Sequence, residues 1–170
     1  MTVRSALGRR ARAVVVMAVG AVVMVGGSLL AWIRSGDARR NSYALFALVE
    51  RLGFAPDGPA AAAIRWWPLV PLVAVVAVVG AWWGWPRAGG IVGIVAASYA
   101  GGVGVAVATA SSPGVDIEPG PLVTAIGGAL LLAGSIACVV AGARDTTRTV
   151  RSPTDLAGTG RHAAPPVDRS

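Results

Sequence analysis

The residues able to do chemistry are few and scattered. The only histidine, His162, sits in a Pro/Ala-rich C-terminal tail with no Cys or His beside it, so the four-ligand set of a zinc site is missing. Cys138, the only cysteine, lies inside an apolar run; it has no internal disulfide partner and reads as a small packing residue. Asp116 and Glu118 in "SSPGVDIEPGP" are two loop carboxylates, and without further oxygen ligands such a pair is solvated rather than cation-bound. A Ser/His/Asp hydrolase needs its base beside its nucleophile, and the topology derived below separates His162 from the loop serines. The glycine-rich "GGVGV" at 101–105 lacks the preceding strand and the water-exposed helix terminus that a phosphate cradle requires. No catalytic, cofactor-binding or metal-binding residue is expected.

The elements that would have to position these residues are apolar blocks. Of 170 residues, 55% are hydrophobic and 14% charged, whereas about a quarter of a soluble domain is charged. The net charge of +7 falls between the apolar blocks instead of on a soluble domain, which argues against nucleic acid as a partner. Every basic residue is Arg, a bias that points to a GC-rich bacterial coding composition. A bilayer-spanning helix needs about 20 apolar residues, and four stretches free of charge qualify: 13–33, 66–85, 88–110 and 121–143. The first follows Arg9, Arg10 and Arg12, but its apolar run exceeds that of a signal peptide and no small-x-small cleavage site closes it, so it reads as an uncleaved anchor. Ser98 and Tyr99 fall in mid-span, where their hydroxyls are expected to be satisfied within the bundle.

Orientation follows from the arginines, because short cytoplasmic segments carry the excess of positive charge. Arg4, Arg9, Arg10 and Arg12 precede the first span, Arg87 lies in the second loop, and Arg144, Arg148, Arg151, Arg161 and Arg169 lie in the tail. The first loop has Arg34, Arg39, Arg40, Arg51 and Arg65, and the third has only acids. Both termini are therefore expected in the cytoplasm, as a basic segment 1–12 and a disordered tail 144–170. Indole rings favour the headgroup level; Trp32 is accordingly expected to close the first span, Trp66 and Trp67 to open the second, and Trp82, Trp83 and Trp85 to close it.

In the third span Gly89, Gly93, Ala97 and Gly101 recur every four residues, and in the fourth Ala125, Ala129, Ala133, Ala137 and Ala141 do the same. Small residues at that spacing let helix backbones approach closely in lipid, so these two stripes are expected to face each other.

The outer loop 34–65 carries one amphipathic segment, "RNSYALFALVERLGF". Leu45, Leu48, Val49 and Leu52 form a helical stripe, with Tyr43, Glu50 and Arg51 away from it. Asn41 or Ser42 can cap the start, and Gly53 the end, which predicts a helix over about 42–52. Too short to span, it is expected to lie on the outer surface. There it is either a structural lid or a docking surface for envelope protein or lipid, using Arg39, Arg40, Arg51, Tyr43, Leu45, Leu48 and Leu52.

"WIRSGDARRNSYALFALVERLGFAPDG", "RWWPLVPL" and "GPLVTAIGGALLLAG" resemble the four-helix membrane proteins of unassigned function common in actinobacteria. The resemblance implies four spans in an actinobacterial inner membrane and brings no catalytic residues. The expectation is an all-α, integral membrane four-helix bundle with a short surface helix, acting as a non-enzymatic accessory or interaction protein of the bacterial envelope. The alternative is a subunit of a small-molecule or lipid transporter or channel. Membrane lipids are the expected partners, with an envelope protein bound through the first outer loop in the docking reading.

Overall fold

The structure, a computed structural model, describes residues 3–35, 37–51, 64–110 and 116–150. Helix α1 (Val3–Leu29) leads into strands β1 (Ala31–Ser35) and β2 (Ala38–Asn41) and the short helix α2 (Ser42–Arg51). A 3-10 turn, Trp67–Leu69, opens α3 (Val70–Trp82); α4 (Pro86–Ala108), β3 (Asp116–Ile117) and α5 (Gly120–Val150) complete the chain. The class is all-α, with one small sheet added. Four helical stretches, Gly8–Leu29, Ile64–Trp82, Pro86–Thr109 and Gly120–Arg144, are long and apolar enough to cross a membrane. A helix satisfies its own backbone hydrogen bonds, which is why such apolar segments adopt this form in lipid. Exposed Val15, Val16, Val19, Val22, Leu72, Val75, Val76, Ile91 and Val95 suit a hydrocarbon surround.

The four long helices run alternately up and down. Helix α5 is central, packed along its length against α1 on one side and α4 on the other, while α3 lies mainly on α4. Glycine makes this closeness possible. A Cβ at Gly20 would strike the backbone of Leu130 and Leu131, one at Gly27 the backbone of Thr124, one at Gly127 that of Met24, and one at Gly134 that of Met17. Gly20 and Gly27, like Gly127 and Gly134, are seven residues apart, the repeat that keeps one seam in register between two left-handedly wound helices. Toward α4, Gly90 meets the Ser135 carbonyl, Gly104 the Pro121 carbonyl and Gly128 the Cα of Gly101. Between α3 and α4, Gly89 lies against the Ala77 carbonyl and the Ala81 nitrogen. Ser135 Oγ is buried without a hydrogen-bond partner, beside Gly93 and Met17.

The small-residue stripes thus need a correction on one side. Gly89, Gly93 and Ala97 are buried and Gly101 is half-buried, but Ala129, Ala133 and Ala137 are exposed and Ala125 and Ala141 only half-buried. The face of α5 that meets its neighbours is Gly120, Thr124, Gly127, Gly128, Leu131, Gly134, Ser135 and Cys138, all buried. Hydrogen is smaller than methyl, so where both stripes exist the glycine face takes the closer contact and the alanine face turns outward.

Element bounds also differ from expectation. The first long helix stops at Leu29, short of Ile33, because Ala31–Ser35 pair as a strand. Helix α5 continues to Val150, beyond the end expected near Ala143, so the first turns of the tail are helical. Pro68 and Pro71 accompany a tightening of the second span into a 3-10 turn at Trp67–Leu69, between the helical residues 64–66 and α3, where proline lacks the N–H and constrains φ. Gly84, at φ 110°, supplies the left-handed residue that lets α3 reverse into α4. The tail 151–170, Leu52 and Gly53 lie outside the described residues.

Candidate functional site

The end of the bundle where α1 finishes carries the sheet and α2, and here the polar and aromatic residues converge. The strands are ordered β2-β1-β3, all antiparallel. Arg34 stands opposite Arg39 on one side and Asp116 on the other, so the acidic strand offsets a like-charge pair that alone opposes sheet formation. The Glu118 N–H extends the pairing by donating to the Trp32 carbonyl at 3.1 Å. Arg39 Nε lies 3.8 Å from Glu118 Oε1.

The register shifts between Ala31 and Ile33, a bulge of the kind that re-aims a side chain. The residue re-aimed is Trp32, which is fully buried. Its indole N–H donates to the Gly27 carbonyl at 3.0 Å, in the last turn of α1, where carbonyls have no partner within the helix. Ser42, also fully buried, donates its hydroxyl to the Ser28 carbonyl at 2.6 Å and accepts the Trp67 indole N–H at 3.1 Å. Two open carbonyls at the end of α1 are therefore closed by side chains from the strand and the short helix that follow it. Asn41 caps α2 instead, its Oδ1 accepting the Ala44 N–H at 2.9 Å.

Aromatic rings fill the space around this network. Trp67 packs edge-on to Trp32 with centroids 5.4 Å apart and to Phe46 at 5.2 Å; Trp32 and Phe46 are 6.0 Å apart, and Tyr99 of α4 lies 5.9 Å from Trp67. Edge-to-face pairs of this kind contribute about 0.5–1.5 kcal/mol each beyond their buried area. A cavity of about 10 Å³ adjoins the cluster, lined by Ser28, Tyr43, Trp67, Val70, Ala100 and Thr124 among others; that is about the space one water needs. Two of the lining hydroxyls are engaged with their own helix, Ser28 Oγ with the Val25 carbonyl and Thr124 Oγ1 with the Gly120 carbonyl.

Three expectations change at this cap. Trp32 and Trp67 are core residues, with 0% and 2% exposure, while Trp66, Trp82, Trp83 and Trp85 are exposed. Tyr43, expected on the polar side of α2, is half-buried against the core together with Leu45 and Phe46, because the cap wraps inward over the helix ends and buries a wider arc than one stripe. Leu48 is half-buried, Arg40 half-buried, and Arg39 and Arg51 exposed, so the residues grouped by sequence divide into an inner and an outer face. Ser42, Phe46, Trp32 and Trp67 are the residues that sequence reasoning did not gather here. The nearest signal was a serine at a helix start within a segment framed by tryptophans.

Asp116 and Glu118 are held by the sheet, and among the described residues no three of His, Cys, Asp or Glu come together. The cap and the four long apolar helices define a multi-pass membrane protein with a capped helical bundle. No family model matches the chain, and no curated protein or solved structure matches it either.

Proposed function

We propose that this protein is a non-enzymatic accessory or interaction protein of a bacterial cell envelope that docks a protein partner through the outward face of its cap. The observation that carries this reading is the way the cap is fastened. Its inner face is tied to the bundle through Ser42, Trp32 and Trp67, which leaves Arg39, Ala47 and Arg51 exposed on the outward side. A preorganised surface loses little conformational freedom when a partner binds. In this reading the protein lies in the plasma membrane of an actinobacterium-like cell, with both termini cytoplasmic and the cap outside, the arrangement favoured by its arginine distribution. No observation favours the transporter-subunit alternative: the stretches 13–33, 66–85, 88–110 and 121–143 contain no Asp, Glu, Lys, Arg or His, the residues that mark coupled transport inside a membrane, and the cavity beneath the cap, about 10 Å³, has room for about one water.

The test is site-specific photocrosslinking in native membranes, with the reactive residue at exposed Ala47 of α2 and a control at exposed Ala110. Tyr43 is unsuitable because it faces the bundle. The proposal expects one protein adduct at Ala47, absent at Ala110 and lost in R39Q/R51Q. Lipid adducts alone at both positions leave the cap as a lid and overturn the docking reading.

A further inference from the structure

The opposite end of the bundle has a contrasting surface. In the turn from α3 to α4, Trp82, Trp83 and Trp85 are 71%, 83% and 73% exposed, three large indoles within four positions. Arg10 of α1 reaches across the end of α3, its Nη2 donating to the Ala81 carbonyl at 3.2 Å and lying 3.9 Å from where a Cβ of Gly84 would stand. Arg87, in the first turn of α4, packs its side chain over Gly142 of α5. Arg9, Arg12 and Arg144 are exposed at the same end. Asp37, Glu50, Asp116 and Glu118 belong to the cap, whereas at this end five arginines, Arg9, Arg10, Arg12, Arg87 and Arg144, outnumber Asp145, the residue after Arg144 in α5.

A guanidinium carries five N–H donors in a fork that matches phosphate oxygens, more than the one bond from Arg10 to Ala81 takes up. Indole rings prefer the boundary between acyl chains and headgroups. Arginines fixed beside exposed tryptophans at the end of apolar helices therefore combine a phosphate-recognising group with a surface for the upper acyl chain. We propose that the α3–α4 turn binds the headgroup of an anionic phospholipid, with Arg10 and Arg87 holding the phosphodiester and Trp82, Trp83 and Trp85 the adjoining chain. A zwitterionic lipid offers the same phosphate with a cation attached, so the excess of arginines at this end selects net negative charge.

The full chain is reconstituted in vesicles of phosphatidylcholine and phosphatidylglycerol, one or the other brominated in its acyl chains, and quenching of tryptophan emission reports which lipid adjoins the protein. A Trp66→Phe background removes the exposed indole at the cap, leaving the lipid-accessible ones at the turn. The expected result is a preference for phosphatidylglycerol that falls about fivefold for each arginine removed, through R87Q to R10Q/R87Q, and survives R39Q/R40Q. Because Arg10 also bonds the α3 end, R87Q alone separates loss of binding from loss of structure. Equal quenching by both lipids in the parent protein overturns the proposal. So does a preference that R87Q and R10Q/R87Q leave intact, or one that free inorganic phosphate displaces.

Discussion

Ser42 and Trp67, 25 residues apart in the chain, meet through a buried hydrogen bond of 3.1 Å in which the indole N–H donates to the serine hydroxyl. The same hydroxyl donates to the Ser28 carbonyl, so one oxygen joins the end of α1, the start of α2 and the approach to α3. Ser42→Ala leaves a buried indole N–H and a buried carbonyl without partners. Unsatisfied buried groups cost about 1–3 kcal/mol each. The expected outcome is a clear drop in the unfolding midpoint in detergent, with Trp67→Phe in the Ser42→Ala background costing less than it does alone. Equal costs in the two backgrounds would show that the two residues act independently.

The two faces of α5 make opposite predictions. Gly127→Ala drives a methyl into the Met24 backbone and is expected to destabilise the bundle by at least the 1–3 kcal/mol typical of overpacking. Ala133→Leu adds far more volume but on an exposed face, and should change stability by no more than about 0.5 kcal/mol. Thermal unfolding in the same detergent compares the pair directly. The reverse order would return the alanine stripe to the helix interface.

Arg39 and Glu118 form an ion pair at 3.8 Å with Arg39 67% exposed. Solvent screening limits exposed pairs of this kind to about 0–1 kcal/mol. Glu118→Gln is therefore expected to shift the unfolding midpoint only slightly, and the residual effect should shrink further in high salt. A shift as large as that of Ser42→Ala would mean that the sheet depends on this pair more than its exposure implies.

The four spans were legible because a bilayer imposes length and apolarity, both of which are local properties of the chain. The cap was legible only in part. The apolar spacing of Leu45, Leu48 and Val49 announced α2, and Asn41 its start, because both signals lie within the helix itself. Trp32 and Trp67 were misplaced for a physical reason: an indole at a span end suits a headgroup layer and an open helix carbonyl equally well. Only the bulge at Trp32, a long-range feature, decides between them. The alanine stripe of α5 failed similarly, since every-fourth spacing marks a face able to pack without saying whether a glycine face beside it packs closer. Ser42 stood within the helix start, but its partners Ser28 and Trp67 are distant in sequence and carry no shared pattern.

The central place of α5 bears on how the molecule is assembled during synthesis. Helices α1 and α4 touch each other sparsely, and each finds its main neighbour in α5, which leaves the ribosome after the other three long helices. Gly120, its first residue, sits against the Ala31 carbonyl and the Trp32 ring, a surface that exists once the strand has bulged and the indole has turned inward. Before it is in place α1 has few contacts with the packed α3–α4 pair, so the fourth long helix acts as a keystone that joins them and seats its first residue against the finished cap.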